Sequence, residues 1–239
     1  MRDSPKGTVR QFDDFLGDTL NPDLWVEDVT STGTAAITGV EIDGTVQLDT
    51  AASSGDCGTF ASELNWRVQD GALRMEVRVK FDTVTAIGTF VGFASATTYS
   101  DILPITISGT TWVTTAVDAI GMAFDTAATT PVVTCMWVDT NADSNQSLAN
   151  LQFAGLAPVA NVYYTYIVEL QDNGSGNKVH ATFSVIDDKG HMFSKEFPAT
   201  IDRDTPLCAI VGHESSAATA QETTIDYFEI TKSRATSID

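Results

Sequence analysis

An all-β fold, a single antiparallel β-sandwich, is predicted from three features of the sequence. First, Leu73 to Phe81 reads Leu-Arg-Met-Glu-Val-Arg-Val-Lys-Phe, apolar at every odd position and charged at every even one. Only a strand converts that period of two into one dry face and one wet face. Second, about a dozen short β-rich runs alternate with turn signals, and almost no helical period interrupts them. Third, 239 residues fit one large all-β domain as easily as two small ones, but no internal repeat or linker splits the chain, which is long enough to fold without a metal or disulfide. A sheet with one dry face must bury it against a second sheet, which gives layers packed face to face. Residues 1–9 are expected to form a short flexible arm, and residues 10–239 the domain.

Each element follows from local pattern. Gln11 to Leu16 starts a strand, Asn21-Pro22-Asp23 turns the chain, and Trp25 to Asp28 extends again. Thr45 to Asp49 puts Val46 and Leu48 on one face, and Phe60 to Trp66 leads into the Leu73 strand. Phe90 to Ala94 is more fully apolar. Thr97 to Trp112, broken by Pro104 and Gly109, is a long connection holding one short strand. Ala119 to Asp125 and Val132 to Val138 form an antiparallel pair, followed by a polar loop from Asp139 to Asn145. Ser147 to Leu156 holds a helical turn that Pro158 ends. Tyr163 to Leu170 and Lys178 to Ile186 make the clearest hairpin, across the turn-rich Asp172 to Asn177. His191 to Phe197, Leu207 to Gly212 and Thr223 to Thr231 complete the set.

The formal charge of −19 repels phosphate, so nucleic acid is not an expected partner. No run of apolar residues reaches membrane-spanning length, and Met1 to Gly7 has no apolar stretch of the kind a signal peptide needs. Cys57, Cys135 and Cys208 cannot build a disulfide framework. Cys135 and Cys208 fall in strand-like runs as small hydrophobes, and Cys57 in a loop, which fits synthesis in a reducing cytoplasm. The cations are unevenly spread. Phe81 to Asn177 contains no Lys or Arg, which suggests either a broad packing surface or an ordinary Thr-rich β surface.

Several clusters are candidates for function. Glu41-Ile42-Asp43 begins the alternating acid pattern of laminarinase-type enzymes, but the third carboxylate is missing, so no catalytic residue is expected. Asp139, Asn141 and Asp143 place oxygen ligands at alternate positions of one loop, a candidate calcium site. An Asx-rich turn is the competing account, because the Gly at position six and the acid at position twelve are missing. Trp112, flanked by threonines, is a candidate platform for a sugar ring. Arg2, Lys6 and Arg10 give the arm a positive charge for docking. Arg74, Arg78 and Lys80 make a basic stripe on the wet face of the Leu73 strand, either paired with acids across the sheet or offered to a partner.

The order of pieces resembles the concanavalin A-like lectin and glucanase jelly roll. It opens with Phe12-Asp13-Asp14-Phe15 and Leu20-Asn21-Pro22-Asp23-Leu24-Trp25, and closes with Thr224-Ile225-Asp226-Tyr227-Phe228-Glu229-Ile230. Gly121-Met122-Ala123-Phe124-Asp125, followed by the next strand and Asp139, is similar to the metal-binding region of legume lectins. The metal-ligating Glu of that pattern falls on Ala123, so the resemblance does not carry the metal site over. More specifically, the whole chain resembles jelly-roll virion proteins of tailed bacteriophages, including head decoration proteins. Phe12 to Phe15, Val91-Gly92-Phe93, Ala119 to Asp125 and Asp226-Tyr227 through Arg234-Ala235 carry that likeness. It implies a non-enzymatic capsid decoration protein, made in the host cytoplasm and located on the virion. Its expected partners are the major capsid protein and further copies of itself, with no cofactor. A lectin-like module for glycan binding and host attachment is the alternative, and a glucanase-like enzyme is less favoured.

Overall fold

A computed structural model describes residues 7–17, 19–38, 44–99, 102–143, 147–174 and 178–233. The first half contributes β1 (Thr8–Asp13), β2 (Trp25–Val29), β3 (Thr34–Thr38), β4 (Thr45–Asp49), β5 (Cys57–Ser62), β6 (Leu73–Phe81), β7 (Ile87–Ala94), β8 (Ile105–Ser108) and β9 (Thr111–Thr114). The second half contributes β10 (Ala119–Asp125), β11 (Thr134–Asp139), β12 (Ala142–Asp143), β13 (Tyr164–Asp172), β14 (Val179–Ile186), β15 (Met192–Ala199), β16 (Cys208–Ser215) and β17 (Glu222–Ser233). Helix among the described residues is limited to α1 (Leu148–Leu151) and a single 3-10 turn, Val68–Asp70.

One sheet is eight-stranded, in the order β15-β14-β13-β6-β17-β4-β3, with β1 also paired to β17. The other is seven-stranded, β12-β11-β10-β7-β16-β5-β2, and β8-β9 is a separate hairpin. Strand β6 alternates as its sequence demands. Leu73, Met75, Val77, Val79 and Phe81 point inward, and Arg74, Glu76, Arg78 and Lys80 are half-buried on the outside. Strand β17 lies along all of β6, with a bulge between Ile225 and Tyr227. Its first half pairs with β4 and its second half with β1. A bulge adds bend and twist where one strand must serve two partners in turn.

The core between the sheets is anchored by Phe15, Trp25, Phe60 and Phe228. The Trp25 ring stacks on Phe60 at 5.0 Å, and its Nε1 donates to Asp13 Oδ2 at 2.8 Å, so the indole is buried without stranding its polar atom. Trp66 and Trp137 are buried as well.

A second core covers the outer face of the seven-stranded sheet. Tyr99, Leu103, Ile105, Ile107 and Ala116 come from the connection after β7 and pack on Phe90, Ala94, Ala123, Met136 and Ile210. Strands β5, β7 and β10 are therefore buried at every position. Gly212 makes this close approach feasible, since a Cβ there would lie 2.7 Å from Leu103 Cδ2. The cation-free stretch thus supplies strands enclosed on both faces, where Lys and Arg are costly.

Several expectations change in detail. Thr8 and Val9, read as part of the arm, are paired in β1 with Ser233 and Lys232. Cys57 opens β5 and is fully buried, not a loop residue. The Thr97 to Trp112 connection holds most of a two-stranded hairpin in place of one strand. Strand β3 was not anticipated, because Thr-Ala-Ala-Ile-Thr carries too little apolar contrast to show a period. Helix α1 ends because Gln152 turns extended and bridges Thr134, well before Pro158.

Candidate functional site

Among the described residues is a groove of about 530 Å³, built where three segments meet. Gly109 to Trp112 come from the β8-β9 turn, Thr129 and Thr130 from the β10-β11 loop, and Ser147 to Ala149 with Gln152 from α1 and its flanks. Thr110, Thr111, Thr129 and Thr130 are exposed. Trp112 is half-buried, and its inner side packs against both cores. A ring held that way presents a fixed apolar platform beside hydroxyl and amide groups. Gln152 Nε2 donates to Thr130 O at 3.3 Å, which ties the α1 wall to the loop wall.

The hairpin and the loop are stitched together by backbone. Gly109 N–H donates to Ala127 O, and Thr129 N–H donates back to Gly109 O, each at 2.8 Å. Beneath them sits Asp125, the last residue of β10 and only 7% exposed. Its Oδ1 accepts the Ala127 N–H at 2.8 Å, and its Oδ2 accepts the Ile107 N–H at 3.0 Å. Burial raises the Asp125 pKa above the usual carboxylate value, and these two N–H groups oppose the shift.

Among the described residues, this end of the molecule does not present the donors a divalent cation needs. Ala123 stands where the lectin-like pattern needs a carboxylate, and both Asp125 oxygens already face backbone donors. Asp139 lies at the opposite end of the β10-β11 ladder, where Val138 pairs with Ala119. Among the described residues, no three or more His, Cys, Asp or Glu side chains are grouped to hold a metal ion.

The backbone of Asp139, Asn141 and Asp143, the calcium candidate, lies in a hairpin corner. Thr140 and Asn141 have φ of 51° and 62°, and Asp139 pairs with Ala142 across them. Asp118 Oδ1 accepts the Thr140 N–H at 3.0 Å, and Asp139 Oδ1 accepts the Thr140 hydroxyl at 3.2 Å. Burial raises the Asp139 pKa, the Thr140 hydroxyl opposes this, and nearby Asp118 adds to it.

The basic stripe is engaged within its own sheet. Arg74 contacts Glu76 and lies 3.3 Å from Glu169 on the neighbouring strand. Arg78 pairs with Asp226 and stacks 4.2 Å over the Tyr163 ring, which Lys80 also approaches at 4.9 Å. Arg10 bonds Glu229 through both Nε and Nη2, while Arg2 and Lys6 lie outside the described residues. Glu41 and Asp43 also lie outside them.

Of the described residues singled out in the sequence as site candidates, only Trp112 lines the groove. Its companions are brought in by pairing between distant segments, so no local spacing marks them. A usable signal was Asp125 itself, an acid closing an apolar strand just before a Thr-rich loop.

The architecture defines a concanavalin A-like, legume-lectin-type β-sandwich, and comparison with solved structures bears this out. A protein of unknown function from Shewanella oneidensis MR-1 superimposes with a TM-score of 0.62 at 13% identity, over 97% of this chain and 89% of that one. Peanut lectin, solved with a nine-residue peptide, gives 0.59 at 12% identity over 96% and 99%. The lectin UEA-II in complex with galactose gives 0.56 at 10% identity over 94% and 98%. No family model matches the sequence, and neither does any curated protein.

Proposed function

We propose that this chain is a glycan-binding protein of a bacteriophage particle, seated on the assembled head as a decoration subunit. The observation that carries the glycan half is the Trp112 groove: one anchored indole flanked by Thr110, Thr111, Thr129, Ser147 and Gln152. A pyranose ring offers an apolar C–H face and a rim of hydroxyls. The indole stacks against the first, and the hydroxyl and amide side chains exchange hydrogen bonds with the second. No acidic residue is among the described lining residues, which supports binding over glycosidic cleavage, a reaction needing paired carboxylates.

The virion half is supported by the sequence resemblance to jelly-roll head proteins. Its partner is then the major capsid protein, and a subunit that binds only the assembled lattice stabilises it by mass action. Many copies on one particle would also turn a weak single-site affinity into avidity for a glycan-coated host.

The test is a glycan array probed with the purified chain and with Trp112→Ala. Binding should be selective for particular neutral glycans and weakened about tenfold or more by the substitution. Equal binding by both proteins, or none by either, overturns the groove as the site. Imaging of particles with and without the protein tests the virion half separately, and heads lacking any density assignable to it would overturn that half.

A further inference from the structure

The groove raises a mechanical question of what holds its Trp112 wall in place. The β8-β9 hairpin is an insertion lying on the sheet, paired with itself and with no strand of either sheet. Its polar attachment converges on one row of the sheet. Asp125 on β10 is opposite Gly88 on β7, and Gly88 is opposite Glu214 on β16. The row therefore reads carboxylate, glycine, carboxylate, on the face that the insertion covers. The insertion lies close over this row: the Cβ position of Gly88 is 3.4 Å from Asp125 Oδ2 and 3.8 Å from Leu103 Cδ1, ordinary packing distances that do not themselves require a glycine. Asp125 takes the Ile107 N–H of β8 with one oxygen and the Ala127 N–H of the β10-β11 loop with the other. One carboxylate thus fastens both the hairpin wall and the loop wall of the groove to the sheet.

We infer that Asp125 is the positioning residue of the groove, and that its bidentate grip on Ile107 and Ala127 makes the site independent of any divalent cation. Charge makes the fastening strong. An ionised carboxylate accepting two backbone N–H groups forms charge-assisted bonds, and burial keeps water from competing for them. Cation chemistry is disfavoured at the same spot, because the donors already present their positive ends to both oxygens. The inference rests on the proposed glycan reading only for its binding consequence. The ordering of the hairpin stands on geometry alone.

The experiment is amide hydrogen exchange on the intact chain, read at Ile107 and Ala127 against core amides of β6. In the unmodified protein, protection at both amides should be the same in EDTA, calcium or manganese. Added cation that increases protection over residues 105–129 would overturn the inference. In Asp125→Asn, one of the two acceptors becomes a donor, so exchange at one of these amides should quicken about tenfold to a hundredfold while β6 is unchanged. A uniform loss of protection throughout the molecule would show Asp125 to be a general stability residue, and would also overturn it. The array of the preceding section, repeated in EDTA, separates the two ideas. Undiminished binding in EDTA supports both. No binding in any buffer, with exchange as expected, removes the glycan reading and leaves the fastener standing.

Discussion

His213 shows how a titratable side chain can be built into a core. It is fully buried, with Nδ1 2.9 Å from the Thr223 hydroxyl and Nε2 3.2 Å from the Gln221 carbonyl oxygen. A carbonyl only accepts, so the network assigns the proton to Nε2, and Nδ1 accepts from Thr223. The ring is neutral, and burial pulls its pKa down to about 4 from an ordinary 6.5, against the opposing pull of the Gln221 carbonyl. With the folded value lowest, the unfolded chain takes up the proton first as pH falls. The His213 contribution is thus whole above pH 6.5 and shrinks between 6.5 and 4, by on the order of 3 kcal/mol in all. Asp125, Glu214 and Glu222, raised by burial, act in the opposite sense and add stability on acidification. Urea unfolding of the wild type and of His213→Gln from pH 7.5 to 4 isolates the imidazole. The gap between the two curves should narrow or invert as pH falls, and parallel curves would contradict the assignment.

Strand β6 is the element most legible in the sequence, because one of its faces is wet and the other dry. Strands β7, β10 and β16 were visible as apolar runs, yet nothing in them says what covers the second face. Two-sided burial erases alternation, and the covering layer is itself a short hairpin with a weak pattern. The groove was less legible still. Trp112 stood out as an isolated indole among threonines, whereas Thr129, Thr130 and Gln152 acquire meaning only when the fold delivers them. The wet face of β6 supports a prediction of its own. Arg78→Glu would set a carboxylate against Asp226 and remove one of the two cations over Tyr163, leaving Lys80. The Arg78 side chain is 41% exposed, so water and salt screen the effect, and the expected loss is about 1 kcal/mol. Adding Asp226→Arg should restore part of it in a double-mutant cycle. Strictly additive losses would show the pair to be uncoupled.

At the scale of the whole molecule the fold has three layers, two sheets and a partial cover, with a core at each junction. The outer junction depends on small residues as much as on large ones. Gly212→Val would drive branched carbons into Leu103 and into Thr59, whose Cγ2 lies 2.8 Å from where a Cβ would be. Overpacking of this kind costs about 1–3 kcal/mol, and the damage should concentrate in the cover. A lowered melting temperature with exchange quickened across residues 97–116 is the expected signature. Unchanged exchange there would mean that the cover does not rest on this glycine.

The pairing of β1 and β17 has a consequence for the newborn chain. Strand β17, which pairs along the whole of β6, is made after every other described strand, and β1 waits for the same partner. Until β17 has been made, β6 therefore has an apolar face and an unpaired edge, the condition that invites association with neighbouring chains. Truncation before Glu222 would make that transient state permanent. The rate of translation and the supply of chaperones would then govern yield as strongly as the stability of the finished sandwich.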